Sequence, residues 1–191
     1  MKKAKLKLDK DFMIGKVDKR IFSSFIEPIG DIVYGNLYNP NHAFADKQGF
    51  RKDVLELMRD LGSTAIRYPG GNFVSGYNWM DGIGPKDKRP VRYDKAWKRI
   101  ETNQMGIDEY TNWVNKADSE PMLAVNLGTG TPEEASFEIE YTNMEGGTYY
   151  SDLRKEYGHE KPYNIKLWCL GNEMDGTWQM GEKTAKEYGR V

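Results

Sequence analysis

Short apolar runs recur along the chain, and each closes on a polar or glycine-rich segment. The first, Ile21–Phe22–Ser23–Ser24–Phe25–Ile26, ends at Glu27. Thr64–Ala65–Ile66 ends at Arg67–Tyr68, followed by Pro69–Gly70–Gly71–Asn72. Met122–Leu123–Ala124–Val125 ends at Asn126 and Leu127–Gly128–Thr129–Gly130. Ile165–Lys166–Leu167–Trp168–Cys169–Leu170 ends at Gly171–Asn172–Glu173. Runs this short, bounded by turn residues, predict strands near 22–27, 64–68, 122–127 and 165–171.

Between these runs the apolar spacing becomes helical. Val54, Leu57, Met58 and Leu61 recur at i, i+3, i+4 and i+7, with Gly62 as a stop. Ile107, Tyr110, Trp113, Val114 and Ala117 make a second face. Thr131–Pro132–Glu133–Glu134 reads as a capping box with proline at the first helical position, and another helix opens over 182–188. Strand and helix alternate, which favours a parallel sheet of βα units. Residues 4–9 differ, because Ala4, Leu6 and Leu8 alternate with lysine as in a half-exposed strand. No repeat or linker divides the chain.

The polar residues sharpen the fold class. All four expected strands end in a group able to ionise or hydrogen-bond, the arrangement at the chemical face of a (β/α)8 barrel. Four units are half of such a TIM-barrel, and a whole one needs roughly 250 residues. The expectation is an α/β chain of 191 residues holding about the first four βα units.

Composition removes several classes. Lys and Arg number 28 against 29 Asp and Glu, so no basic field is available for nucleic acid. Aromatic residues at 13%, with 5 Trp and 12 Tyr, exclude a disordered polar chain. Hydrophobic residues at 38% are few for a self-sufficient core. Mean hydropathy is -0.77, and no run approaches the roughly 20 apolar residues of a membrane-crossing helix. The lone Cys169 excludes an internal disulfide framework and reads as a buried small hydrophobe. The N-terminus, MKKAKLKLDKDF, is basic but has no apolar stretch behind it, so a cytoplasmic setting is expected. His42 and His159 have no ligand spacing and read as surface residues, and Pro69–Gly70–Gly71 lacks the features of a phosphate loop.

Glu173 is the sharpest candidate for chemistry. A carboxylate at the end of a buried strand would have its pKa raised by desolvation, as a general acid near neutral pH requires. Asn172 beside it could donate to a substrate hydroxyl. The blander reading is that this Asn–Glu pair caps a following helix. Similar alternatives attend Glu27 as an exposed strand end, Arg67 as partner of a structural acid, and Asn72 as a turn residue. Trp97 and Trp178 could serve packing alone.

The segment Trp168–Cys169–Leu170–Gly171–Asn172–Glu173–Met174–Asp175–Gly176, with Trp178–Gln179, resembles the acid/base signature of family 51 glycoside hydrolases, the α-L-arabinofuranosidases. Residues 67–73 (RYPGGNF), 77–79 (YNW), 100–104 (IETNQ), 126–129 (NLGT) and 146–148 (GGT) resemble further segments of that family, in order. The resemblance implies a retaining, exo-acting enzyme that removes terminal arabinofuranosyl groups from arabinan or arabinoxylan oligosaccharides. It implies Glu173 as acid/base, Asn172 on the sugar 2-hydroxyl, and Glu27 and Asn72 as further sugar ligands. Arg67 would hold the carboxylate network, and Trp97 and Trp178 would flank the ring. The nucleophile would lie on a later strand, beyond Val191. Residues 1–18 would belong to an accessory β-sandwich and 19–191 to the N-terminal half of the barrel. No metal or organic cofactor is implied. The partners implied are the oligosaccharide and either further copies of the chain or a complementing C-terminal half, with neither nucleic acid nor membrane. The alternative is a non-catalytic half-barrel that binds sugar or needs a second chain. Pro28, Met80, Thr177 and the segment 130–140 depart from the family pattern.

Overall fold

The computed structural model describes residues 2–191. In chain order these form β1 (Ser24–Phe25), α1 (Lys52–Leu61), β2 (Ala65–Tyr68), β3 (Arg92–Asp94), β4 (Arg99–Glu101), α2 (Ile107–Lys116), β5 (Glu120–Val125), α3 (Pro132–Asn143), α4 (Tyr149–Glu156), β6 (Leu167–Leu170) and α5 (Ala185–Tyr188). Short 3-10 turns at Lys19–Phe22, Asn72–Gly76, Trp79–Gly82 and Lys86–Lys88 join several of them.

All four expected strands are present, and they pair in parallel in the order β1-β2-β5-β6. Ser24 faces Ile66, Arg67 faces Met122, and Ala124 faces Cys169. A parallel sheet needs cover on both faces, which explains the near-continuous apolar β2 and β5. β1 is shorter than expected, because Lys19–Phe22 winds into a turn capped by Asp18, whose side chain accepts from the Arg20 N–H. Ile26 N–H still reaches Arg67 O at 2.9 Å and continues the ladder towards Glu27.

The second helical face behaves as its spacing predicts. Ile107, Tyr110, Trp113 and Val114 of α2 are all buried. Tyr110 stacks on Tyr68 of β2, with ring centroids 4.7 Å apart, and its hydroxyl accepts from Met122 N–H of β5 at 2.9 Å and donates to Ile66 O. Each such side chain contributes roughly 1.5–3 kcal/mol when fully buried, so α2 anchors the sheet. The expected capping box opens α3: Thr131 accepts from Glu134 N–H at 3.1 Å, and the Glu134 carboxylate accepts from Thr131 N–H at 2.7 Å.

Other expectations are corrected. Helix α1 ends at Gly62 as foreseen, with the glycine left-handed at φ 67°. It buries Leu55 instead of the predicted stripe, and Leu57 and Leu61 stand exposed. Residues 4–9 form no strand, and Leu6 and Leu8 point to solvent. Alternation supplies two faces but no ladder, and no described strand offers residues 4–9 a partner. Cys169 is half-buried, since β6 is an outer strand. His159 is not isolated: its Nε2 lies 3.5 Å from Oδ2 of the buried Asp108, which also accepts from Tyr141 and Tyr163. The antiparallel hairpin β3–β4 and helix α4 were not foreseen. The helix of 182–188 begins at Ala185 behind its Thr184 cap. Among the described residues no helix is long and apolar enough to cross a membrane.

Candidate functional site

The candidate residues gather where the parallel strands end. Glu27 follows β1 and is buried. Its Oε1 accepts from the backbone N–H of Phe73 at 2.8 Å and from Trp97 Nε1 at 2.8 Å. Burial pushes this carboxyl above its ordinary value, while those two donors and the nearby Arg67 charge act against the shift. The loop after β2 runs tightly over it. A Cβ at Gly70 would stand 2.5 Å from Glu27 Cγ, and one at Gly71 would stand 2.5 Å from Oε2. These two glycines therefore make room for the carboxylate.

Trp97 reaches Glu27 from the turn between β3 and β4. Asp94 holds that turn, accepting from Ala96 N–H at 3.0 Å and from Trp97 N–H at 2.9 Å. The unforeseen hairpin is thus what aims the indole at the end of β1.

Arg67 on β2 crosses the sheet end to Asn172 after β6. Both guanidinium terminal nitrogens lie 3.3 Å from Asn172 Oδ1, and the guanidinium carbon sits 4.7 Å from the centre of the Phe25 ring. Among the described residues Arg67 donates to no carboxylate; the Asn172 amide oxygen accepts from both of its terminal nitrogens. No ion pair among the described residues includes Arg67. With Oδ1 occupied, the Nδ2 of buried Asn172 is left as a donor with no protein partner among the described residues.

Glu173 sits in a turn with positive φ (45°) behind Gly171 (φ 83°). Its side chain is exposed, so the desolvation expected for it is not met. The cause is positional: β6 is the outer strand, and nothing described covers its far side. Glu173 Oε2 accepts from Trp178 Nε1 at 2.8 Å, and Gln179 Nε2 lies 3.5 Å away. Trp178 leaves two thirds of its surface open, at 67%.

Gln179 was not singled out from sequence, since a loop glutamine carries no periodic signal. Its only mark there is its place beside Trp178. It is buried, accepts from Ser75 Oγ at 2.9 Å and donates to Asn72 Oδ1 at 2.6 Å. One amide therefore ties the loop after β2 to the carboxylate after β6. Asn126, at the end of β5, is fully engaged: Oδ1 accepts from the N–H of Gly128, Thr129 and Gly130, and Nδ2 donates to Tyr77 O at 2.9 Å in the loop after β2.

The residues thus form three linked sets: Glu27 with Trp97, Arg67 with Asn172, and Asn72 with Gln179, Glu173 and Trp178. Carboxylate acceptors, an amide donor and indole faces around one sheet end suit a small polyhydroxylated ligand. The family model described as Alpha-L-arabinofuranosidase 1 domain matches residues 57–189. The chain belongs to the family 51 α-L-arabinofuranosidases. It is 55% identical over 191 residues to an intracellular exo-α-(1→5)-L-arabinofuranosidase of Bacillus subtilis, covering 100% of this chain and 38% of that one. It is 53% identical over 192 residues to an exo-α-(1→6)-L-arabinofuranosidase of Bifidobacterium longum, covering 100% of this chain and 37% of that one. A solved family 51 α-L-arabinofuranosidase from Bifidobacterium longum superposes with a TM-score of 0.92 at 52% identity, over 95% of this chain and 36% of its own. The arabinose complex of the Thermotoga maritima α-L-arabinofuranosidase gives 0.86 at 50% identity, over 88% and 35%. The chain spans less than two fifths of the length of these curated relatives.

Proposed function

We propose that this chain carries the acid/base part of a retaining, exo-acting α-L-arabinofuranosidase that removes terminal arabinofuranosyl groups from arabinan or arabinoxylan oligosaccharides. The observation that carries the reading is the pairing of Glu173 with Asn172. An exposed carboxylate, oriented by Trp178 and Gln179, stands next to an amide N–H2 that Arg67 leaves free. In this reading Glu173 protonates the departing glycosidic oxygen and then, ionised, removes a proton from the attacking water. Asn172 donates to the 2-hydroxyl, Glu27 and Asn72 bind other hydroxyls, and Trp97 and Trp178 wall the ring.

Retention needs a second carboxyl about 5–5.5 Å from the first to act as nucleophile. Glu27 is already held by Phe73 and Trp97 and suits sugar binding better than attack. The proposed nucleophile belongs to a segment outside these 191 residues. The same reading takes the four parallel units as half of a (β/α)8 barrel spanning 19–191, with residues 1–18 serving an accessory β-sandwich. A cytoplasmic setting agrees with the word intracellular in several relatives' names. No metal or organic cofactor takes part in this chemistry.

The exposed Phe25 and Leu170 on the two outer strands favour a second reading, a half-barrel that acts only with further copies of itself or with a complementing chain. One experiment separates the two. The chain is purified, its mass in solution measured, and an aryl arabinofuranoside assayed with the chain alone and with it joined to the remaining part of the Bacillus subtilis relative. Turnover only in the joined protein, lost on Glu173→Ala, is expected. A monomer that turns over substrate alone would overturn the assignment of the nucleophile.

A further inference from the structure

Gln179 stands between two groups assigned to the proposed reaction, and its amide has a direction. The residue is buried in the loop after β6. Its Oε1 accepts at 2.9 Å from Oγ of Ser75, a side chain equally buried in the loop after β2. Its Nε2 donates to Asn72 Oδ1 at 2.6 Å and lies 3.5 Å from Glu173 Oε2.

Alone, the series Ser75–Gln179–Asn72 could run in either sense. A hydroxyl donates or accepts, and each amide can turn over to match. Glu173 removes that freedom. An ionised carboxylate only accepts, so the Gln179 amide must turn its N–H2 side towards it. The reversed amide would set Oε1 against a carboxylate oxygen, two acceptors with no hydrogen between them. At 3.5 Å the contact is long for a hydrogen bond. It still decides the sense, because a buried amide has two orientations and the charge favours one of them.

Asn72 must then answer the Gln179 N–H2 with its own oxygen. Its Nδ2 is left facing away from Gln179, with no protein partner among the described residues. Arg67 does the same to Asn172 from the other side of the sheet end.

We propose that Gln179 is a positioning residue that, held by Ser75 and Glu173, turns Asn72 so that an N–H2 and not a carbonyl meets the sugar. This role rests on the glycosidase reading, from which Asn72 and Glu173 take theirs. The sugar oxygen met by Asn72 is therefore an acceptor, and an ammonium group in its place is refused.

The test uses the chain joined to the remaining part of the Bacillus subtilis relative, with a 4-nitrophenyl arabinofuranoside. Gln179→Met keeps the length of the side chain without its polarity and frees Asn72 to turn. KM should rise about tenfold, the equivalent of one hydrogen bond. With Trp178 still holding Glu173 Oε2, kcat should stay within about threefold. In an Asn72→Ala background the same substitution should change KM less than about twofold, because the group it positions is gone. Gln179→Glu keeps an acceptor for Ser75 but adds a negative charge beside Glu173. It should move the alkaline limb of the kcat/KM profile upwards by about one pH unit, since the acid then holds its proton more tightly. A merely structural role would lower Tm and produce neither the coupling nor the pH shift.

An unchanged KM in Gln179→Met, or an equal rise with and without Asn72, overturns the positioning role and leaves the glycosidase reading standing. Should Gln179→Met fail to fold, an unmoved alkaline limb in Gln179→Glu overturns the role equally. A joined parent without turnover overturns the glycosidase reading, and the positioning role falls with it.

Discussion

Arg67 sets both terminal nitrogens of its guanidinium on Oδ1 of Asn172, 3.3 Å from each. A guanidinium only donates, so the amide oxygen must face it and the amide nitrogen must face away. One strand-end arginine thereby fixes which way a residue 105 positions later presents its N–H groups.

Replacing Asn172 by Asp tests that relationship. The new carboxylate keeps an acceptor for Arg67, and a half-buried pair of this kind is worth about 0–1 kcal/mol, so thermal stability should hold within a few degrees. The outward donor is gone, and a second negative charge now adjoins Glu173. Binding of an arabinofuranoside by the joined protein should weaken about 10- to 100-fold, equivalent to one or two hydrogen bonds of roughly 1.4 kcal/mol each. Asn172→Ala should instead lower stability as well, because Arg67 loses its partner. Equal stability of the two variants would show that Arg67 does not depend on Asn172.

Sequence legibility followed the physics of each feature. β2, β5 and β6 were visible because a strand inside a parallel sheet must be apolar along most of its length. The face of α2 was visible for the same reason at helical spacing. Leu57 and Leu61 misled, since a periodic stripe says that a face is apolar and not that something covers it. Residues 4–9 misled similarly, because alternation does not supply a pairing partner. The β3–β4 hairpin alternates weakly and turns at Lys98 in a left-handed conformation (φ 54°), which no glycine announced. Glu173 does follow a strand, β6, but it is exposed where burial was expected. Its strand end was legible, whereas its solvent contact depends on which strand lies at the sheet's edge.

The room around Glu27 yields a contrast between two glycines. Gly71→Ala would put a methyl group 2.5 Å from Oε2 of a buried carboxylate held by Phe73 and Trp97. The carboxylate must shift and surrender those donors, a loss of about 2 kcal/mol or more. Gly62→Ala meets no atom within 4 Å and bears only the strain of its left-handed backbone, about 1 kcal/mol. Chemical denaturation should rank the two accordingly, and Trp97 should make the fluorescence change in Gly71→Ala but not in Gly62→Ala. A smaller loss at Gly71 than at Gly62 would contradict the packing described.

Glu138, a carboxyl 3% exposed, predicts a pH dependence of stability. Its folded-state pKa of about 8 lies above the ordinary 4.5 of the unfolded chain. The unfolded state therefore releases the proton first, and the stability associated with the neutral acid is full below pH 4.5 and lost as pH rises through about 8. Glu138→Gln carries no such proton. Its unfolding free energy should exceed the parent's by an amount that grows between pH 6 and pH 9, on the order of 2 kcal/mol. Parallel curves for the two proteins across that range would mean that Glu138 is not desolvated.

Glu173 is tested most sharply by leaving groups, in the protein joined to the remaining part of its Bacillus subtilis relative. An alkyl or sugar leaving group departs as a strongly basic alkoxide unless the acid protonates it during bond cleavage. General acid catalysis is worth roughly 10²–10⁴-fold, and Glu173→Ala should lose about that much in the glycosylation rate for arabino-oligosaccharides. A dinitrophenyl arabinofuranoside leaves as a stabilised phenolate and needs little protonation, so its glycosylation rate should change far less. The second half-reaction still needs a base, and the arabinosyl-enzyme should then accumulate as a burst of phenolate followed by slow turnover. Azide, small and already ionised, should replace the base-activated water and restore the steady-state rate for the activated substrate alone. Trp178→Phe, which removes only the indole N–H held 2.8 Å from Glu173 Oε2, should shift the pH profile while leaving most of the turnover. Equal losses for both leaving groups in Glu173→Ala, with no burst and no rescue by azide, would remove Glu173 from the acid/base role.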